Sequence, residues 1–279
     1  MKMHDKNILL HFTTCEGLKG ILKSNSLRLT HYASMKDRSE LSAIQPNDIK
    51  KMLLSNGFHP NNVKIYQESM DLAFRKDFTG PYIISFHSIE KTALKCTDHM
   101  WKEYARNGVA IIFDKDELVK QIDSITHEKA LTSNVCYTKE LLRKTGTTLK
   151  SFQIGEKFQR VNKTGCSEDA ISIFHDDCLI ALQGLATDYI KMRWLTKKRK
   201  YRNEHEFRII LSEIKSNSIF RETKINHKDK SISVVEIPIN ELPKYVKGIL
   251  LDPIGNRDKL RNDIQKLLAE LNLEHIDLI

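Results

Sequence analysis

The sequence predicts a single α+β domain that covers residues 1–279. Short apolar runs of strand length, such as 108–113 and 249–251, alternate with segments whose apolar residues recur at helical spacing. No internal repeat, low-complexity tract or convincing linker divides the chain. A helical insertion is expected near 46–79 and a long helical segment near 167–196, both within the same domain.

In the first half of the chain, alternating apolar residues predict strands at 8–13, 27–30, 82–87, 109–113 and 134–137. Helical spacing predicts helices after 14 and at 49–56, 63–78, 100–105 and 117–125. Each short helix follows a side chain that can accept from its first turn. These predicted caps are Thr14, Asn47 or Asp48, Thr97 or Asp98, and Asp114.

In the second half, residues 139–163 carry little pattern, and 167–194 give the longest helical signal. Strands are predicted at 201–211, 233–239 and 246–251, with a last short one at 275–279. An amphipathic helix that ends at Leu271 is expected to begin at Asn256 or Asp258.

Composition and charge are those of an ordinary soluble protein, with 40% hydrophobic and 29% charged residues. No apolar run is long enough to cross a bilayer, and the polar start of the chain does not resemble a signal peptide, which predicts a cytoplasmic protein. Five scattered cysteines are expected to be reduced. The net charge of +9 favours acidic partners such as phosphates, dinucleotides or nucleic acid.

The segment 201–211 concentrates acidic side chains on one predicted strand. Alternation places Glu204, Glu206 and Arg208 on one face and a mostly apolar set on the other. Neighbouring acids repel each other unless a cation shares the space. We therefore expect this face to line a cleft in which positive charge is bound or develops; the alternative is a solvent-facing strand whose Arg208 offsets the two acids.

Four motifs, taken in order, resemble a bacterial family known only as a domain of unknown function, which is itself similar to the ADP-ribosyltransferase superfamily. That family tends to show His-Tyr-Thr-Ser, Ser-Phe-Ser, Met-Trp-x-x-Tyr and Glu-x-Glu-Trp-Arg. The matching stretches are His11-Phe12-Thr13-Thr14, Ser85-Phe86-His87, Met100-Trp101-Lys102-Glu103-Tyr104 and Glu204-His205-Glu206-Phe207-Arg208. Two departures stand out: His87 replaces the usual second Ser, and Phe207 replaces Trp.

The resemblance implies a split antiparallel sheet and the transfer of ADP-ribose from NAD to a macromolecule, in a toxin or phage-defence effector. Glu206 would stabilise the positive charge that develops on the ribose, and Glu204 would orient or deprotonate the acceptor. The residues implied to bind NAD are His11, Thr13, Ser85, His87 and Arg208. NAD is a substrate in this interpretation, and no metal is required.

The acceptor is expected to be a protein or a nucleic acid, bound by a basic surface that comprises Lys197, Lys198, Arg199 and Lys200. The same run is also typical of a solvated helix end. One alternative function is a non-catalytic module that binds nucleic acid on this fold.

A second alternative is a metal-dependent phosphohydrolase or nuclease that uses His175 and Asp176. A zinc site built from Cys96, His99, His175 and Cys178 is disfavoured, because the two pairs lie on separate amphipathic segments. Trp101 and Tyr104 are expected to be core residues. The polar loop that contains Asp37, Arg38 and Glu40 is either a set of ion pairs or a wall of the cleft.

Overall fold

The fold is described from a computed structural model of the chain. The structure describes residues 7–35, 43–55, 60, 63–64, 80–89, 98–127, 130–137, 191–212, 220, 222–227 and 230–279. Its strands are β1 (Ile8–Thr13), β2 (Ser26–His31), β3 (Tyr82–Ile89), β4 (Val109–Asp114), β5 (Ala130–Asn134), β6 (Glu206–Leu211), β7 (Glu222–His227), β8 (Lys230–Pro238) and β9 (Val246–Leu251). Its α-helices are α1 (Cys15–Ser24), α2 (Pro46–Ser55), α3 (Asp98–Tyr104), α4 (Lys115–Thr126) and α5 (Arg257–Glu270).

These nine strands form one open sheet in the described part of the chain, in the order β7-β8-β2-β3-β1-β4-β9, with β6 paired to β3 and β5 paired to β6. Every pair of named strands is antiparallel. The predicted α+β class is therefore confirmed at the level of a mixed protein with an antiparallel sheet.

Strand β3 is shared by two diverging parts of the sheet. Its residue His87 pairs with β1 on one side and with β6 on the other. Its residue Ile83 pairs with β2 and with β6. Because a strand has only two edges, β1 and β2 occupy the same edge of β3 at opposite ends. Residues 84–86 of β3 lie between these two pairings, so this part of the edge borders the gap where β1 and β2 separate.

The larger hydrophobic core lies on one face of the sheet. Leu9, Phe86, Phe207 and Ile209 point into it from the strands and meet apolar residues of α1, α4 and α5. A smaller apolar cluster lies on the other face, where β1 and β4 pack against Trp101 of α3. The alternation of each strand thus assigns its side chains to one of two distinct environments.

Helix starts follow the sequence closely. Thr14, Asp114 and Asn256 each accept from a backbone N–H in the first turn, so these three predicted caps are confirmed. The cap predicted at Asn47 or Asp48 is wrong, because α2 begins at Pro46. Asp48 instead accepts from the Gln45 N–H at 3.0 Å, as the third helical residue does in a capping box.

Three strand predictions fail. The strand predicted from 201 begins at Glu206, because the residues before it form the 3-10 helix Arg199–Glu204. The strand predicted at 134–137 is displaced to Ala130–Asn134. The strand predicted at 275–279 is reduced to one bridge between Leu278 and Ile249. Strand β7 carries no strong alternation and was not predicted.

The chain divides into two compact units. The first comprises residues 1–36, 80–135 and 203–279 and contains the whole sheet; the second comprises 37–79 and 136–202. Two helical segments were expected, near 46–79 and near 167–196. Of the first, the structure describes α2 and residues 60 and 63–64, and of the second only 191–196; the remainder lies outside the described residues. Within the described residues, no helix is both long and apolar enough to cross a membrane.

Candidate functional site

Strands β3 and β6 place four polar side chains side by side on one face of the sheet. Ser85 lies opposite Arg208, and His87 lies opposite Glu206. Directly opposite residues of an antiparallel pair project to the same face. The predicted mid-chain and late motifs therefore meet as two neighbouring cross-strand pairs.

The Glu206 carboxylate is fixed by donors from both strands. Arg208 donates from Nε to Oε1 at 2.7 Å and from its terminal nitrogen to Oε2 at 3.1 Å. Ser85 Oγ donates to the same Oε1 at 2.5 Å. Such charge-assisted, bidentate bonds leave the carboxylate little orientational freedom.

This group of Ser85, Glu206 and Arg208 is enclosed. Glu206 is 5% exposed and Arg208 is fully buried. All six residues of β6 are buried, so the alternative of a solvent-facing strand is wrong. Within the described residues this face does not form an open cleft, because the acid and its cation are buried together. Arg208, which the resemblance assigned to NAD binding, is the ion-pair partner of Glu206.

His11 approaches the group from the other face of the sheet. Leu10, its neighbour on β1, lies opposite His87, so the His11 side chain points away from the His87 face. Its Nδ1 nevertheless reaches the carbonyl of Ser85 at 3.3 Å, at the gap between β1 and β2. A carbonyl can only accept, so Nδ1 carries the proton. The imidazole thus satisfies a backbone group that β1 no longer pairs.

Glu204 does not share the strand of Glu206. It ends the 3-10 helix, and His205 between the two acids has a φ of 40° that breaks the alternation. The Glu204 carboxylate is buried and accepts from Tyr104 Oη at 3.2 Å. Tyr104 is not a core residue, because it is 48% exposed, whereas Trp101 is buried as expected.

His87 links the two acidic positions. Its Nδ1 lies 2.6 Å from the backbone carbonyl of Glu204, and its ring stands perpendicular to that of the exposed His205 at 5.9 Å. Phe12 of β1 contacts the same imidazole edge-on. His87 therefore lies inside the polar group rather than at its margin.

Burial lowers the pKa of both histidines. For His11, desolvation outweighs the opposing effect of the Ser85 carbonyl. For His87, desolvation again outweighs the carbonyl of Glu204, and the neighbouring His205 lowers the pKa further. Both imidazoles are thus held neutral near pH 7, with the proton on Nδ1.

Other predicted residues lie apart from this group. Thr13 packs its Oγ1 against Gly17 in the first turn of α1. Lys197, predicted to belong to an exposed basic surface, is 3% exposed and lies over the ring of Tyr201 at 4.8 Å. Lys198, Arg199 and Lys200 are exposed as predicted.

The residues proposed for metal chemistry, His175, Asp176, Cys96 and Cys178, lie outside the described residues, as do Asp37, Arg38 and Glu40. His99, the remaining member of the disfavoured zinc set, is exposed on α3. Among the side chains that the structure places, no three of His, Cys, Asp or Glu are grouped to hold a metal ion. Of the five cysteines, Cys15 and Cys136 lie among the described residues, and neither forms a disulfide there.

Fold and site together define the protein coarsely, as an α+β protein with an open antiparallel sheet and a Ser-His-Glu-Arg group on adjacent strands, in which all members but Ser85 are buried. Residues 100–209 match the model of a family described as a protein of unknown function, DUF2971. The match supports the resemblance to a family of unknown function. It spans Trp101, Tyr104 and the segment from Glu204 to Arg208, and leaves out His11 and Ser85. No curated protein and no solved structure matches the chain.

Proposed function

We propose that the chain cleaves the bond between nicotinamide and ribose in NAD and transfers the ADP-ribose to a macromolecular acceptor. The observation that carries the proposal is the fixed carboxylate of Glu206, held by Ser85 and Arg208 on a central strand. Glu206 lies on β6, which pairs with one edge of β3, and β1 and β2 separate along the other edge of β3. In the proposed role this protein acts in the cytoplasm as a toxin or phage-defence effector.

The chemistry explains why a fixed carboxylate matters. As the glycosidic bond breaks, positive charge grows on the ribose, and an acid beside that sugar stabilises the transition state more than the ground state. A carboxylate that is already oriented needs no rearrangement when the charge appears. Ser85 and Arg208 supply that orientation to Glu206.

Burial sets a condition on the proposal. Glu206 and Glu204 are 5% and 4% exposed, so the dinucleotide must displace part of the surrounding chain to reach them. His11 and Ser85 are only half-buried and lie at the gap in the sheet. The nicotinamide end of NAD is proposed to approach along this gap.

The decisive variant is Glu206→Gln, which keeps the size of the side chain and removes its charge. We expect nicotinamide release from NAD to fall by about 10²–10³-fold or more, the effect of losing one electrostatic contact to a transition state. Nicotinamide release is measured by chromatography, with thermal unfolding recorded for the same samples. The unfolding record is needed because the change also leaves Arg208 without its charged partner.

A matched control is Glu236→Gln. Glu236 also pairs with an arginine, Arg28, at 2.7 Å, but these side chains are 40% and 48% exposed. This variant should release nicotinamide at the wild-type rate. A wild-type protein that neither consumes NAD nor gains thermal stability from it would refute the proposed function. Unchanged turnover in a folded Glu206→Gln variant would remove Glu206 from the mechanism.

A second candidate, a module that binds nucleic acid without catalysis, is favoured by the run of exposed cations Lys198, Arg199 and Lys200. Replacing all three by alanine should weaken binding to a mixed-sequence oligonucleotide and reduce the slope of log affinity against log salt by about three. Fluorescence anisotropy at several salt concentrations measures both. An unchanged slope would exclude this run as a phosphate-binding surface.

A further inference from the structure

The imidazole of His87 has one nitrogen engaged and one available. Nδ1 lies 2.6 Å from the carbonyl of Glu204, and since a carbonyl only accepts, Nδ1 must carry the proton. In a neutral ring Nε2 then bears a lone pair. No described residue donates to that nitrogen. His87 is 2% exposed, so the lone pair is held in a largely dry environment.

The groups around this imidazole come from several elements. Glu206 lies opposite on β6, and Glu204 and His205 follow from the 3-10 helix. Phe12 of β1 contributes only an apolar ring, and Tyr104 of α3 is directed to the Glu204 carboxylate. Arg208, two residues beyond Glu206, is committed to that acid. His205 is the neighbouring titratable group that lowers the pKa of His87 and so disfavours protonation of the ring.

We propose that His87 Nε2 is the general base of the site, which takes the proton from an acceptor hydroxyl as that hydroxyl attacks the ribose. The inference rests on the proposed function and assigns its acceptor class. Glu206 and His87 are register partners, whose Cα atoms lie roughly 4.5–5.5 Å apart in such pairs. The acid that faces the sugar and the base that faces the nucleophile are thus neighbours on adjacent strands.

The step balances without a further reactant. The acceptor oxygen forms a bond to the anomeric carbon of the ribose while its proton moves to His87 Nε2. The bond between that carbon and the pyridinium nitrogen breaks, and its electron pair leaves with neutral nicotinamide. The imidazolium then returns the proton to water.

Glu204 is less suited to this role. Its Oε1 already accepts from Tyr104, and its backbone carbonyl fixes His87. A base is needed only by a nucleophile that loses a proton as it attacks, which distinguishes a hydroxyl from a carboxylate acceptor. Among oxygen nucleophiles, the geometry therefore points to hydroxyl groups, of a side chain or of a sugar, as the acceptor.

The test uses the full chain with NAD, in water and in water containing methanol as a simple hydroxyl acceptor. The variant is His87→Asn, whose side-chain N–H can replace Nδ1–H as donor to Glu204 while no base remains. We expect kcat for nicotinamide release to fall by about 10²–10⁴-fold, with KM for NAD unchanged. Methyl ADP-ribose formation should fall in parallel.

The pH profile separates a base from a structural residue. In the wild type, kcat should fall as the pH decreases through the pKa of His87, which lies below the ordinary value of 6.5. His87→Asn should lose that acidic limb. The control is His127→Asn, which changes an exposed histidine whose φ of 49° is a conformation that Asn tolerates. This variant should keep the wild-type kcat and the acidic limb of its pH profile.

The outcomes distinguish the two proposals. A wild type without NAD turnover refutes the proposed function and this inference with it. A wild type that turns over NAD, with a His87→Asn variant of equal kcat and the same acidic limb, overturns only the role of His87. Nitrogen NMR of the histidine rings gives a further check, because a His87 with its proton on Nε2 in the neutral state would also overturn the inference.

Discussion

Replacing Arg208 by alanine is expected to lower the free energy of unfolding by about 3–5 kcal/mol, the usual effect of breaking a buried ion pair from one side. Arg208 is fully buried and supplies two of the bonds to Glu206. Without it the carboxylate keeps the hydroxyl of Ser85 but loses both bonds from the guanidinium while it remains buried. Urea denaturation followed by circular dichroism measures the loss.

The chain contains a matched control for this variant. Arg28 forms an ion pair with Glu236 at the same distance of 2.7 Å, with side chains 48% and 40% exposed. Because water screens that pair, Arg28→Ala should cost only about 0–1 kcal/mol. If Arg208→Ala were no more damaging than Arg28→Ala, the Glu206 pair would not be holding β6 in place.

A double variant tests the cause of the loss. Glu206→Met combined with Arg208→Met removes both charges and fills the same space with apolar side chains. Replacing a whole buried ion pair in this way is often neutral or stabilising. We expect the double variant to be more stable than Arg208→Ala. A double variant that is equally unstable would show that packing, rather than the broken ion pair, accounts for the loss.

The sequence predicts those elements whose local signals agree with their packing. Strand β9 has the bounds that alternation predicts, and β4 extends one residue further. Asp114, which ends β4, is also the predicted cap of α4. In such segments the strand period, the capping side chain and the buried face all require the same structure.

The start of β6 could not be predicted in this way. Residues 201–205 alternate well enough for a strand, but 201–204 belong to the 3-10 helix Arg199–Glu204, and His205 follows that helix with a φ of 40°. A non-glycine residue in that conformation is maintained by tertiary contacts, not by its own preference. Here the Ser88 N–H donates to the His205 carbonyl at 2.8 Å, a bond between β3 and the residue before β6 that the sequence of 201–205 does not encode.

The site shows the same limit. Glu206 and Arg208 are two apart, so their contact follows from the strand period alone. That Ser85 joins them depends on the register of β3 against β6, which a single sequence does not fix. The sequence also does not predict the burial of Lys197, because a run of four cations is normally solvated.

Gly108→Ala is expected to cost about 1–3 kcal/mol or more, because the added methyl group would meet backbone atoms that cannot rotate away. A Cβ at this position would lie 2.3 Å from the Thr13 carbonyl oxygen and 3.2 Å from that of Ala105. Thr13 pairs with Val109, so relieving the clash means separating β1 from β4 at their common end.

Gly20→Ala provides the contrast within the same unit. Gly20 is exposed inside α1 and has open space where a Cβ would lie, so alanine should stabilise the helix by about 0.5–1 kcal/mol. Thermal unfolding should therefore shift down for Gly108→Ala and up for Gly20→Ala. Equal shifts would mean that β1 and β4 are not closely packed at Thr13, and the position of His11 two residues earlier on β1 would then be loosely defined. Thr13 and His11 lie on the same paired stretch of β1 and β4, so a variant that separates these strands at Thr13 is expected to disturb His11 as well.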